Sequence, residues 1–407
     1  MPGTFRSLIP HVLMPVVVLI VSQAFCPTRA EGDGLIIPCF VMGESVDPAG
    51  NAFTALFIQD PLFRYTAYPL PPDLSDTEKR KLDRVYYPRT RKILVESFDA
   101  IIIRDARILH FTSNQFRDLD YAFREAGMAS VTIHGPSWDQ VWSVVTTLYE
   151  LSPVDNFKIR FYEPWRVVFR REREPVFLPF IELGMEKVVG EAYGTMEAKQ
   201  GATVWADMQP QDVPWLVSWR PGGTDAGMQW VFADKFDAAW WGLGYGTRDT
   251  NPYAMDLATN LLLYSLGKPL ISDIHARRKA RSLLYGFRAQ KLLILSLMDW
   301  AESFGANTRS LSSQLVILEN QTEGAAGSYL VQDYAATIDL MESLSARIGG
   351  ISKEAVRLKD DAMFWVYISE WLAITSVAIA SGAVLWSLMM RRSVYRAVQA
   401  TRIIEHL

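Results

Sequence analysis

The sequence predicts an α/β domain built as a three-layer sandwich with a β-rich addition, then an α-helical coiled-coil hairpin and a single transmembrane helix. Three observations carry this. Strand-like and helix-like segments alternate from Leu35 to Leu266. Apolar residues then recur at alternating spacings of three and four down to Trp365, and the run from Trp371 to Met390 holds no charge. As a helix that run spans roughly 30 Å, the thickness of a bilayer's hydrocarbon core.

The first segment reads as a secretory leader. Arg6 supplies the basic end, Val12 to Phe25 the apolar stretch, and Thr28-Arg29-Ala30 a small-x-small cleavage site before Glu31. An uncleaved anchor is the alternative, with the same topology. Phe25 before Cys26 argues against a lipoprotein signal. The expected organisation is a signal peptide at 1–30, an exported α/β domain at 31–268, a helical stalk at 269–363, a membrane span at 364–390 and a cytoplasmic tail at 391–407. Arg391, Arg392, Arg396 and Arg402 hold that tail inside by the positive-inside rule, which makes the cell membrane the expected location. Asn320-Gln321-Thr322 is a glycosylation sequon on the exported side.

Bulk properties narrow the function classes. With 49% hydrophobic and 21% charged residues the chain has a globular composition. A net charge of −4 gives no basic footprint for a nucleic-acid partner. Two cysteines, Cys26 and Cys39, exclude a disulfide framework. His110 and His134 lack the spacing of a metal pair, and there is no HExxH or Cys/His cluster, so neither metal nor cofactor is expected. The 13 tryptophans are expected mainly in the core.

Along the α/β region, Leu35–Met42 reads as a buried strand, Phe53–Leu62 is mixed, Pro69 to Pro72 breaks the chain and Leu74–Asp83 is helix or loop. Phe98–Ile103 is a strand, Gln115–Ala126 a helix ending at Gly127, and Ala129–Ile133 a strand. Strand, helix and strand with short links make a βαβ unit with parallel strands. Further strands are expected at Arg166–Phe169, Pro179–Leu183, Ala202–Ala206, Pro214–Trp219 and Met228–Ala233, the last two joined as a hairpin around Pro221-Gly222-Gly223. Tyr253–Leu266 is an amphipathic helix closed by Gly267 and Pro269.

The stretch Phe123 to Trp142, FREAGMASVTIHGPSWDQVW, resembles the segment of ThuA-like proteins in which a helix and a glycine lead into a strand ending in His-Gly. Residues 215–241, WLVSWRPGGTDAGMQWVFADKFDAAWW, are similar to the closing hairpin of that superfamily, within the class I glutamine amidotransferase-like fold. The resemblance covers roughly 33–268 and implies a flavodoxin-like sheet with any site above its C-terminal strand ends. The departures bear on chemistry. Where an amidotransferase of this class has its nucleophilic cysteine, this chain has His134-Gly135-Pro136-Ser137. In place of the paired His and Glu it has Asp234 to Asp237. Without thiolate and base, glutamine hydrolysis has no mechanism.

Of the remaining candidates, His134 at a strand end is the acid, base or ligand of choice, with Ser137, Asp139, Asp234 and Asp237 as partners if their loops converge. Loop-fixing and capping are the competing roles. Trp240, Trp241 and Tyr245 lie in an aromatic, glycine-rich loop suited to a saccharide or an anion, or to packing against the sheet edge or the membrane surface.

Beyond Pro269 the strand signals vanish. Arg277-Arg278-Lys279 reads as a solvated helix face. Ile294, Leu297, Ala301, Phe304, Thr308, Leu311, Leu315 and Leu318 form one apolar seam. A turn is expected at 322–327, and a second seam runs from Leu330 through Tyr334, Met341 and Ile348 to Trp365, interrupted at Gly349-Gly350. The two segments fold back as a hairpin in one chain, or the second self-associates between chains. Three functions remain open: a membrane-anchored binding or scaffold protein recognising a saccharide or envelope partner; an exported hydrolase or carbohydrate-modifying enzyme using His134; or an accessory subunit of a membrane complex joined through 270–390.

Overall fold

The computed structural model describes residues 35–43, 52–70, 74–104, 111–133, 147–183, 189–210, 212–233 and 253–404. Among them nine strands form one mixed sheet: β1 (Ile37–Gly43), β2 (Phe63–Pro69), β3 (Ala100–Arg104), β4 (Ala129–Ile133), β5 (Val154–Phe169), β6 (Val189–Ala198), β7 (Thr203–Gln209), β8 (Val213–Trp219) and β9 (Gln229–Phe232). Their spatial order is β2-β1-β3-β4-β9-β8-β7-β5-β6. From β2 to β9 neighbours run parallel; from β9 onward they run antiparallel.

Side-chain alternation builds the two faces of the parallel half. Ile37, Cys39 and Val41 of β1, with Ala100 and Ile102 of β3, point into one apolar cluster, while Phe40, Met42, Ile101 and Ile103 point into another. Helices cover both. The first cluster takes α1 (Ala52–Gln59) and α7 (Ala254–Ser265); the second takes α2 (Asp76–Tyr86), α3 (Arg91–Ser97) and α4 (Ser113–Arg124). Burying each large aliphatic side chain contributes about 1.5–3 kcal/mol, which is why these strands read as apolar runs. Capping boxes at Ser75/Glu78 and Thr112/Gln115 start α2 and α4.

The antiparallel half has an aromatic core. Trp205, Trp215 and Trp230 are buried among Phe169, Phe177 and Phe232. The indole N–H of Trp205 donates to Ser218 at 2.7 Å and that of Trp230 to Ser265 at 2.6 Å, so neither polar handle is stranded. β8 and β9 pair as the expected hairpin. The strand expected at Pro179–Leu183 is instead a short helix, α6 (Leu178–Ile181), preceded in chain order by the single-turn α5 (Thr147–Leu151). Proline at its first turn lacks an N–H that the helix does not need there.

The helical region is three helices rather than two: α8 (Ile274–Ser303), α9 (Arg309–Leu330) and α10 (Tyr334–Ile404). The first seam breaks at Phe304, where Gly305 takes φ +85°. The turn expected at 322–327 is helical, with Ala325 buried inside α9, and the chain reverses instead around Gln332, at φ 65°. α9 and α10 pack antiparallel within one chain: Thr337 donates to the carbonyl of Ala325 at 3.3 Å, and Arg347 to Gln321 at 2.5 Å. In α10, Tyr334, Thr337, Met341, Leu344, Ile348, Ile351 and Ala355 are buried at heptad spacing. Gly349-Gly350 does not interrupt it; α10 runs through both. Arg277 is fully buried, which corrects the reading of 277–279 as a solvated face; only Arg278 and Lys279 are exposed.

One apolar cluster extends from Ile37 through α7 and α8 to Ala355, so sheet and bundle share a core. α10 is 71 residues long, about 105 Å of uninterrupted helix. It is the one helix among the described residues long and apolar enough to cross a membrane. From Ser369 to Arg396 every residue of it is exposed.

Candidate functional site

In the parallel half the chain goes from β1 outward to β2, then returns to place β3 on the other side of β1. Ligands of open α/β sheets bind outside the carboxyl ends of strands at such a switch point. Here β1 ends at Gly43, opposite Arg104 of β3. A Cβ on Gly43 would lie 1.6 Å from the Arg104 carbonyl oxygen, and φ is +139°, so only glycine permits the approach. Nη1 of Arg104 is buried with no hydrogen-bond partner among the described residues.

His110, His134, Ser137, Asp139, Asp234, Asp237, Trp240, Trp241 and Tyr245 all lie outside the described residues. The strand ends that precede two of these groups are described: Ile133, before His134, pairs with Phe232 across adjacent parallel strands. Cys39 is fully buried in β1 as a free thiol, and burial foremost pushes its pKa up, so it is no substitute nucleophile.

A cleft of about 530 Å³ lies between α2, the segment that follows it and the first turns of α4. Asp83 and Gln115 line it, and Tyr68 bonds both from behind. Tyr68, last but one in β2, donates to Asp83 of α2, and Gln115, in the first turn of the helix after β3, donates to Asp83 at 3.1 Å and to Tyr68 at 3.3 Å. The phenol of Tyr68 is held protonated by its burial and by Asp83. Four arginines line the cleft: Arg84, Arg89, Arg91 and Arg117. Its two acids are already matched, Asp83 by Lys79 at 2.8 Å and Asp118 by Arg91 at 3.1 Å. Arg84, Arg89 and Arg117 have no acidic partner among the described residues. The hydroxyl of Tyr87, which also lines the cleft, is buried with no hydrogen-bond partner among the described residues. Guanidinium forks of this kind recognise carboxylate, sulfate or phosphate.

A second constellation joins sheet to bundle. Arg277 of α8 donates to Asp60, just after α1, and to Asp256, in the first turn of α7; it also reaches Thr259 at 3.1 Å. Arg281 grips Asp256 with two bonds of 2.6 and 2.9 Å, and Tyr329 of α9 donates to Asp60 at 2.8 Å. Both acids and both arginines are buried. Burial alone would raise the Asp256 pKa, but Arg281 and Arg277 outweigh it and hold the carboxyl below its ordinary value. The opposite balance holds at Arg277, where burial opposes but Asp60 and its neighbours keep the guanidinium charged. Tyr334, at the start of α10, is pushed up to about 12, first by burial. All four charges are paired, so this cluster is a structural joint; Nε of Arg277 is buried with no hydrogen-bond partner among the described residues.

Sequence reasoning missed both constellations. The joint left a signal: Arg277 and Arg281 share the phase of Ile274, Leu284 and Phe287, all buried on α8. The cleft left only a local density of arginine between α2 and α4. No protein-family model and no curated protein matches the chain.

Proposed function

We propose that the chain is a single-pass, membrane-anchored binding protein whose α/β head lies outside the cytoplasmic membrane and takes an anionic ligand in the arginine-lined cleft. The carrying observation is that Arg84, Arg89 and Arg117 converge on one cleft without acidic partners among the described residues. The ligand class is a carboxylate, sulfate or phosphate ester; an acidic saccharide fits both this chemistry and the cleft volume. In this reading residues 1–30 are a leader, the head and bundle are exported, and Arg391 and Arg392 hold the tail on the cytoplasmic side.

The assignment of the head to the amidotransferase-like, ThuA-like superfamily belongs to the same proposal. The order β2-β1-β3-β4-β9 in its parallel half supports it, because this is the flavodoxin-like order 2-1-3-4-5 once the antiparallel strands are read as an insertion before the fifth. The missing cysteine elbow favours binding over glutamine hydrolysis.

The test is thermal unfolding of the full chain in detergent with an acidic oligosaccharide, its neutral counterpart, inorganic sulfate and inorganic phosphate. The expected result is stabilisation by the anions only, screened by added salt and lost in Arg89→Gln and Arg117→Gln. Equal stabilisation by the neutral sugar, or an unchanged response in both variants, overturns the reading.

A further inference from the structure

We infer that the anion taken by the arginine-lined cleft is the dianion of a phosphate monoester, with the Tyr87 hydroxyl donating to one of its oxygens. The inference rests on the cleft being a ligand site and names the group that site selects.

Tyr87 is held on both sides. Pro88 keeps the residue before it extended, so α2 stops at Tyr86 and Tyr87 leaves it at φ −78° and ψ 135°. Its ring packs edge-on against Phe40 of β1 and Tyr68 of β2, with centroids 5.8 and 5.7 Å away. Arg89 follows, and Thr90 then caps α3 by accepting from the N–H of Ile93 at 3.2 Å. The core thus fixes the ring, and the start of α3 fixes the chain beyond it. The hydroxyl has no hydrogen-bond partner among the described residues, although it is buried. Burial first, then the negative charges of Asp118 and Asp83, keep its proton in place. A buried donor of this kind favours a ligand that brings the missing acceptor over one that does not.

Charge and oxygen count then separate the anions. Four arginines and two aspartates line the cleft, an excess of two positive charges. A carboxylate or a sulfate ester brings one negative charge, whereas a phosphate monoester brings close to two at neutral pH. An arginine fork takes two oxygens of an anion. A carboxylate has none left after that; a phosphoryl or sulfuryl group has a third for Tyr87. Of the three groups, the phosphate monoester is the one that satisfies both the charge and the hydroxyl.

The test measures binding of three compounds built on one sugar, glucose 6-phosphate, glucose 6-sulfate and glucuronate, to the full chain in detergent by titration calorimetry. The expected result is that glucose 6-phosphate binds about ten-fold tighter than the other two. From about pH 7.5 to about pH 5.5 its affinity falls about four-fold, following its dianion fraction around a second ionisation near pH 6. That of glucose 6-sulfate, which keeps its single charge, stays constant. Tyr87→Phe keeps the ring contacts and removes an unsatisfied hydroxyl. It is expected to melt no lower than the parent chain and to lose about ten-fold in affinity for glucose 6-phosphate. A short-chain phosphatidic acid carries the same group on a lipid: displacement of glucose 6-phosphate by it assigns a lipid headgroup as the source, and no displacement assigns a soluble ester. Glucose 6-sulfate or glucuronate binding as tightly as glucose 6-phosphate, a pH response shared by both esters, or an unchanged affinity in Tyr87→Phe overturns the inference and leaves the anion cleft standing. Failure of all three anions to bind removes the cleft reading and the inference together.

Discussion

Arg277 in the first turn of α8 donates to Asp60, which lies 217 residues earlier at the end of α1. This single contact crosses from the sheet domain to the helical region, and the surrounding groups make it a closed ionic joint. Removing one member of a buried pair leaves the other charge uncompensated, at a cost of about 3–5 kcal/mol. Arg277→Met is expected to destabilise the whole head by that amount in urea unfolding followed in detergent. A loss under about 1 kcal/mol would show that the joint is not what holds the two regions together.

Acid should open the joint late. Asp256 has its carboxyl depressed in the folded state, so its contribution is complete above the unfolded value of about 3.9 and is lost as pH falls from there through the folded value. The stability difference between the parent chain and Asp256→Asn is expected to be constant from pH 7 to pH 5, and to shrink only below about pH 4. A difference already shrinking between pH 6 and pH 5 would contradict the assigned direction.

Two glycines weaken the long helix without any packing reason. A Cβ on Gly349 or Gly350 would meet nothing within 4 Å. Replacing each with alanine is expected to stabilise the bundle by about 1 kcal/mol, the intrinsic helix preference. Thermal melts of the single and double variants check this; destabilisation by either would point to a need for bending there.

Gly43 should behave in the opposite way. Its Cβ would overlap the Arg104 carbonyl, and its φ is strained for any L side chain. Gly43→Ala is expected to displace β1 from β3 and to lower the melting temperature steeply. Gly201→Ala, at φ +90° but in open space, is the control for backbone strain alone, and should cost about 1–3 kcal/mol.

Much of the fold was legible because it depends on period. β4 is the expected strand to the residue, β1, β3, β7, β8 and β9 fall within a few residues, and the buried positions of α10 follow the seam read from Tyr334 onward. What escaped depends on partners distant in sequence. β5 carries charges and Pro164 in its outer part, so its pairing with β6 does not show as alternation. The turn at 331–333 was hidden because Gln332, rather than a glycine, takes the left-handed conformation, while the glycines at 324 and 327 that suggested a turn sit inside α9. Arginine in a buried phase is costly alone and becomes readable only when Asp60 and Asp256 are known to face it. The cleft is assembled from segments that are adjacent only after β2, α2 and α4 have packed.

The unbroken course of α10 ties azimuth to residue count. Between its last bundle contact at Ala362 and Arg391 there is no proline and no break in the helix, so the head is keyed to the tail like a bit to its shaft. One residue added before Trp371 would turn the head by about 100° relative to the tail, and seven would bring it back nearly to its original facing, about 10 Å farther out. In the proposed membrane-anchored arrangement, the direction in which the cleft faces is thus written into the length of a segment that touches neither the cleft nor the joint.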